Sequence, residues 1–270
     1  LAKALLAEGA KVVIADVERG ALDATTKELT ASGGDLASVV CDVSSPESVA
    51  ALADAVWDRH GACHLLFNNA GVGAPNLNVW DTTPNDWKWV HGVNVLGVAY
   101  GIQAFVPRML AGGEEGVVVN TSSGDGGIQP LADQVVYASS KAAVSIMTEC
   151  LQAQLAGRGT KLRAALFYPS GGLLKTGIWT TRRNRPADLA REKPAPTGSE
   201  MTWEEFQAGM KQAGMTLPVQ DLDELARFTL DGIRNGDFVI MIGREQMELE
   251  LTDRAKKLAA GECPTGLELG

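Results

Sequence analysis

Short apolar runs alternate along this chain with stretches in which apolar residues recur at helical spacing. The first kind reads as strands: Lys11 to Asp16, Ser38 to Asp42, His64 to Asn68, Gly116 to Thr121, Leu162 to Tyr168 and Asp237 to Ile242. Runs such as Val12-Val13-Ile14-Ala15 are apolar at every position, as a strand covered on both faces requires. The second kind predicts helices over Ala21–Thr30, Pro46–Arg59, Asn85–Leu110, Val136–Ala156 and Leu222–Arg234. Parallel strands need crossovers, and the intervening helices supply them. The alternation therefore predicts an α/β fold, a doubly wound parallel sheet in three αβα layers. Neither an internal repeat nor a domain boundary interrupts it, so residues 1–270 read as one domain.

The rhythm breaks over residues 177–219, which turn polar and loop-like, with Arg182-Arg183-Asn184-Arg185-Pro186 and several prolines. Trp179, Trp203, Phe206, Met210 and Met215 are scattered through this stretch. So long an insertion in an α/β domain is expected to be a lid over a site or a disordered loop. Its aromatic residues suggest an apolar or aromatic substrate, although packing of a loop helix or a partner surface would use the same residues.

Composition narrows the function classes. With 270 residues and 45% hydrophobic content, the chain can bury one large core. The net charge of −9 is spread out and includes no basic cluster, so nucleic acid is not an expected partner. No apolar run approaches the roughly 18 residues of a membrane span, so no membrane is expected either. Cys41, Cys63, Cys150 and Cys263 lack Cys-x-x-Cys spacing, and His60, His64 and His91 form no metal-ligand pattern. Buried thiols in a reducing, cytoplasmic setting and no metal are the expectation.

The chemistry centres on Tyr137-Ala138-Ser139-Ser140-Lys141, which follows the run Val117-Val118-Val119-Asn120-Thr121 and the pair Ser122-Ser123. The apolar spacing of Ala142, Val144, Met147, Leu151 and Leu155 is helical, so Tyr137 and Lys141 lie one turn apart on one face. A cation near a phenol favours the phenolate and pulls its pKa from about 10 toward the working range. A serine hydroxyl at the preceding strand end can bind the same substrate oxygen. Taken alone, the pair also fits a surface Lys lying over a half-buried Tyr. Its company favours chemistry.

That company lies at the strand ends. Asp16 ends the first visible strand, where a dinucleotide fold holds the adenosine ribose, although a turn role fits equally. An acidic residue there, with Glu18 behind it and Arg19 the only nearby cation in sequence, repels a 2′-phosphate and favours NAD over NADP. Asp42 can accept from an adenine amine or cap the helix after Ser44-Ser45-Pro46. Asn68-Asn69-Ala70-Gly71 lets the backbone approach a ligand and can tie strand ends together. Asn94, within an apolar helical run, needs buried partners, and His91 reads as structural.

These segments, in this order and over nearly the whole length, resemble the short-chain dehydrogenase/reductase family. The matching pieces are Asp16, Cys41-Asp42-Val43, Asn68 to Gly71, Val93-Asn94-Val95, Asn120 to Ser123, Tyr137 to Lys141, and Pro169 with Thr176. The resemblance implies that Tyr137 is the general acid/base and that Lys141 lowers its pKa and binds the nicotinamide ribose. It implies that Ser123 orients the substrate and that Asn94 holds a water linking Lys141 to solvent. It also implies that Asp16 binds the ribose, Asp42 and Val43 the adenine, Asn69 the adenosine side, and Thr176 the carboxamide or pyrophosphate.

An NAD-dependent secondary-alcohol dehydrogenase or ketone reductase is the leading expectation, working as a homo-oligomer, a tetramer or dimer packed through the long helices flanking the serine strand. An NADP-linked carbonyl reductase and a catalytically silent dinucleotide sensor are the alternatives. Three departures stand out. The spacing from Ser123 to Tyr137 is one residue longer than the family's commonest form, which leaves Ser122 and Ser123 both candidates, and Pro169-Ser170-Gly171-Gly172 replaces a Pro-Gly turn. The family's glycine-rich phosphate stretch and first strand are absent. Residues Leu1 to Glu8 read as the back half of a helix ended by Gly9, not as a signal peptide. A natural protein longer by about 20 residues, and weak NAD binding by this chain alone, are therefore expected.

Overall fold

A computed structural model describes residues 1–31, 33–215 and 217–264. The strands are β1 (Val12–Asp16), β2 (Leu36–Val40), β3 (Leu65–Asn68), β4 (Gly116–Thr121), β5 (Leu162–Phe167) and β6 (Val239–Ile240). The helices are α1 (Ala2–Ala7), α2 (Arg19–Thr30), α3 (Pro46–His60), α4 (Pro84–His91), α5 (Gly97–Gly112), the distorted turn α6 (Gly124–Gly127), α7 (Val135–Gly157), α8 (Trp203–Gln212), α9 (Leu222–Asn235) and α10 (Arg244–Ala259). Every strand pairing is parallel, in the order β3-β4-β5-β6 for four strands and β1-β2 for the other two. This is a Rossmann-type α/β architecture, as the apolar runs predict.

The sheet differs from expectation in its continuity. Among the described residues β1 bonds only β2 and β3 bonds only β4, so the facing edges of β1 and β3 share no ladder. A cavity of about 730 Å³ lies between them, lined by Val12, Val13, Leu65 and Phe67 and reaching the strand ends at Asp16 and Asn69.

The layers follow from which face each strand residue turns. β4 is buried at all six positions. Val118 packs with Val49 and Val56 of α3, Phe105 and Met109 of α5, and Leu151 and Leu155 of α7. Val117 and Val119 pack on the other side with Leu225, Leu230 and Ile233 of α9. Two-sided burial is why β4 shows no alternation in sequence.

Several boundaries shift. β2 lies two residues earlier than predicted, which leaves Cys41 and Asp42 on the loop beyond its end. β6 contracts to Val239–Ile240, where the ladder to β5 covers only two residue pairs. The predicted helix Asn85–Leu110 is interrupted by a π-helical turn, Gly92–Leu96, in which Gly97 N–H bonds the Gly92 carbonyl. The combined run Pro84–Gly112 has an 18-residue window of mean hydropathy 1.3, so the expectation that no segment is apolar enough to span a membrane fails on length and composition. Its apolar residues Phe105, Val106 and Met109 serve the core, and it carries the buried Asn94. Cys41 is buried as expected, whereas Cys150 is exposed on the outer side of α7.

The 177–219 segment holds two 3-10 turns, Gly177–Asn184 and Ala187–Leu189, and the helix α8, whose Thr202 and Glu205 form a capping box. Ion pairs fasten its polar run to the body. Arg185 and Arg191 reach Asp86 of α4 at 2.7 and 2.6 Å, and Asp86 is 1% exposed. Trp179 stacks edge-on to Trp203 and lies 4.9 Å from Phe206, centroid to centroid.

Candidate active site

The carboxyl ends of β3 and β4 and the first turns of α7 bring the predicted polar residues together. Asn68 pairs with Asn120 in register. Its Nδ2 donates to Asn120 Oδ1 at 2.8 Å, and Asn120 Nδ2 donates onward to Thr148 Oγ1 of α7 at 3.0 Å. This buried amide ladder sets the height of α7 against the sheet, and with it the heights of Tyr137 and Lys141. One residue beyond, Thr121 Oγ1 donates to Asn69 Oδ1 at 3.1 Å.

The two serines separate cleanly. Ser122 is buried, donates to the Lys141 carbonyl at 2.8 Å and lies 2.9 Å from Ser145 Oγ, which contacts Tyr168 Oη at 3.1 Å. It braces α7 from below. Ser123 is half-buried on the opposite side, its Oγ accepting the Asp125 N–H at 3.2 Å. The hydroxyl also hydrogen-bonds Tyr137, so its own proton lies on the Tyr137 side. Ser123→Ala is expected to lower kcat with little change in melting temperature. Ser122→Ala should do the reverse, and thermal melts beside steady-state kinetics check the split.

Tyr137 lines a cavity of about 280 Å³ together with Trp89, Asp125, Trp179, Arg182 and Phe206. Lys141 is almost completely buried, and its Nζ donates to the Thr121 carbonyl at 3.0 Å and lies 5.6 Å from the Tyr137 ring centroid. Burial pushes the Tyr137 phenol up to about 12, a hydrogen bond with Ser123 draws it down, and the Asp125 charge raises it. Burial pushes the Lys141 ammonium down to about 8. The expected lowering of the phenol by Lys141 is therefore absent from this chain by itself: desolvation outweighs an ammonium held off the ring by a backbone carbonyl. Tyr137 is protonated at neutral pH.

The Lys141 shift carries a stability signature. Between about 8 and 10.5 the unfolded chain binds more protons at this site, so burial of the lysine opposes folding most below pH 8 and the penalty fades as pH rises toward 10.5. Lys141→Met should therefore gain most in melting temperature over the wild type near neutrality, with the difference shrinking across that window. A constant difference would contradict the shift.

Asn94, fully buried in the π-helical turn, accepts from Val72 N–H at 2.8 Å and donates to Val72 O at 3.0 Å and Ser140 Oγ at 2.9 Å. One Oδ1 lone pair remains. Asn94 Oδ1 and Lys141 Nζ lie 3.5 and 3.4 Å from the point that a Cβ on Gly71 would occupy, so both border one small space. This geometry suits a water between them.

The cofactor-side residues are brought together less evenly. Asp16, Asp42, Val43, Asn69 and Gly71 line the larger cavity. Asp16 Oδ1 accepts from Glu18 N at 2.8 Å, leaving its other oxygen open. Asp42 Oδ1 takes the Ser44 N–H at 2.9 Å and the Ser44 hydroxyl at 2.7 Å, the turn role that its spacing allowed. Val43 packs against Gly97. Thr176 lines neither cavity: it is exposed and caps the Gly177–Asn184 turn. Its neighbours Ile178 and Trp179 face the smaller cavity instead.

The sequence neighbourhood of Glu18 also misled. Arg19 is not the only cation there, because Arg183 binds Glu18 at 3.2 and 2.6 Å and Asn184 binds it at 2.8 Å. The hydrogen bonds from Arg183 and then Asn184 hold Glu18 below the usual carboxylate range. The pairing of Asp86 with Arg185 and Arg191 was equally invisible, since 99 and 105 residues separate the partners.

Fold and site together define a Rossmann-type α/β protein with serine, tyrosine and lysine gathered at the carboxyl ends of its strands. The family model described as short chain dehydrogenase matches residues 1–186, and the chain belongs to the short-chain dehydrogenase/reductase family. It is similar to the crystal structure of a short chain dehydrogenase/reductase from Burkholderia phymatum in complex with NAD, at 35% identity and TM-score 0.83, covering 94% of this chain and 87% of that one. It is 37% identical over 161 residues to the probable oxidoreductase EphD of Mycobacterium tuberculosis, 60% of this chain but 27% of that protein. It is 33% identical over 183 residues to fluoren-9-ol dehydrogenase of Terrabacter, covering 62% of this chain and 51% of that protein. Similar solved structures hold either NAD or NADP.

Proposed function

We propose that this chain interconverts a secondary alcohol and its ketone with NAD(H), using Tyr137 as general acid/base. The observation that carries the reading is Tyr137 on the wall of an aromatic-lined cavity, with Ser123 hydrogen-bonded to it and the Lys141 ammonium 5.6 Å from its ring, beside the larger cavity at the strand ends that shares Trp89. In reduction, Ser123 donates to the carbonyl oxygen and holds it against the phenol. Tyr137 gives its proton to that oxygen as negative charge develops there. Lys141 stabilises the resulting phenolate, and the space bordered by Asn94 and Gly71 provides the path by which a proton returns. Oxidation runs the same transfers backwards. The larger cavity fits a dinucleotide at its ribose end through the free oxygen of Asp16 and along Asn69 to Gly71, where Lys141 Nζ stands 3.4 Å from the Cβ position of Gly71; a nicotinamide bound there would supply or accept the hydride. Screening secondary alcohols and ketones while following NADH absorbance tests the reading. NAD binding without turnover across a broad panel would favour the silent-sensor alternative.

NAD is favoured over NADP because Asp16 presents a carboxylate at the ribose end while Arg183 is already committed to Glu18. The wild type should prefer NAD by about tenfold or more, and Asp16→Ala should erode that preference. Paired kcat/KM measurements with both cofactors check this, and an NADP preference in the wild type would support the second reading. A homo-oligomer packed through α5, with the π-helical turn that leads into it, and α7 would cover Leu96 and Ile146, which are 45% and 59% exposed.

A further inference from the structure

We propose that Asp125 selects the substrate: the alcohol or ketone accepted here carries a second hydrogen-bond donor, a hydroxyl or an ammonium, that pairs with the Asp125 carboxylate. The inference rests on the reading of Tyr137 given above, because it places that second group in the same cavity. Asp125 lines the cavity of about 280 Å³ beside Tyr137. Its N–H is bonded to Ser123, so it stands one hydrogen bond from the residue that orients the reacting oxygen. Its position is fixed. Gly126 follows at φ 97°, where a side chain would overlap the Ala138 carbonyl of α7, and Gly126 N–H is tied to the Gln129 carbonyl.

The carboxylate itself has no hydrogen-bond or ion-pair partner among the described residues. The cation that shares the cavity, Arg182, pairs with Glu200 at 3.4 Å. Asp125 is exposed to solvent, and partial desolvation, then the nearby Asp133 charge, raises its carboxyl above the usual range. Trp179, Phe206, Ile178 and Met201 supply apolar wall around it. A ligand large enough to cover those surfaces also strips water from Asp125. A wholly apolar ligand would leave a charged acceptor unsatisfied, whereas a donor-bearing one turns the same oxygens into a charge-assisted hydrogen bond. The preference for an apolar or aromatic substrate is thereby narrowed to an aromatic or bulky carbinol with a polar donor on a second carbon.

Three ligands that share one aryl carbinol test this: α-methylbenzyl alcohol, phenylethylene glycol and phenylethanolamine. Binding is read by quenching of tryptophan fluorescence, since Trp89 and Trp179 line the cavity, with and without NAD. Turnover is read separately by NADH absorbance. The wild type should bind at least one donor-bearing ligand about tenfold more tightly than α-methylbenzyl alcohol, and Asp125→Ala should remove the difference. Asp125→Asn, which keeps the shape and a neutral acceptor, should retain a preference for the glycol but lose one for the amine, which distinguishes the two donors. Equal affinities in the wild type, no binding of either donor-bearing ligand, or a preference that survives Asp125→Ala would overturn the inference. A donor preference without turnover sustains it and refutes the catalytic reading instead.

Discussion

Replacing Tyr137 by Phe is expected to lower kcat by roughly 10²–10⁴-fold, the contribution typical of a positioned general acid or base. The fold should survive, because the substitution removes one oxygen from a half-buried cavity wall and leaves the ring that Lys141 approaches. Melting temperature and circular dichroism should stay near those of the wild type while turnover collapses. Binding of the ligand, read by tryptophan fluorescence, should weaken far less than kcat falls. Retained turnover would move the acid/base role away from Tyr137.

Removing the carboxylate of Asp86 is expected to be the most damaging change outside the catalytic residues. Arg185 and Arg191 are each about 10% exposed, and Asp86 pairs with both, one through each carboxylate oxygen. Arg185 also lies over the Trp89 ring at 5.1 Å, so its loss of register reaches the cavity wall. Breaking a buried ion pair from one side costs about 3–5 kcal/mol, since the surviving charge is left without compensation. In Asp86→Ala two cations are stranded, and the N-terminal capping bonds of α4 to Thr83 are lost as well. The melting temperature should fall by roughly 6 °C or more. Limited proteolysis should show accelerated cleavage within residues 177–219, the segment these arginines fasten. Arg191→Met should be milder, because Arg185 still pairs with Asp86. A wild-type cleavage pattern in Asp86→Ala would mean that the segment is held by its aromatic cluster instead.

Much of this architecture is legible in the sequence because the relevant physics is local. β4 reads as a strand covered on both faces from Val117-Val118-Val119, and α7 from the helical spacing of Val144, Leu151 and Leu155. Tyr137 and Lys141 share a face by helix geometry alone, and the Asn68–Asn120 tie follows from two asparagines at neighbouring strand ends. What stays hidden depends on distance or on competition between environments. The π-helical turn at Gly92–Leu96 has the same apolar periodicity as the helix around it. The Asp86 clamp joins residues far apart in sequence, and Arg183 reaches Glu18 from the same distant segment.

The direction of the Tyr137 shift was misread for a different reason. Spacing fixes the approach of the ammonium, but not the burial that outweighs it or the Thr121 carbonyl that holds Lys141 away. The choice between Ser122 and Ser123 likewise needed the hydrogen bonds to Lys141 O and Ser145, which no spacing shows. Thr176 rests on the family likeness alone, and in the structure it is exposed and caps the Gly177–Asn184 turn.

The central claim is that hydride moves between the cofactor and a carbinol carbon at Tyr137. The most direct measurement supplies NADH deuterated at the transferring position together with a ketone that the wild type reduces, and weighs the product by mass spectrometry. One deuterium on the carbinol carbon in the wild type, with product formation lost in Tyr137→Phe, is the predicted result. Product that forms without deuterium, or labelled product formed equally well by Tyr137→Phe, would contradict the account.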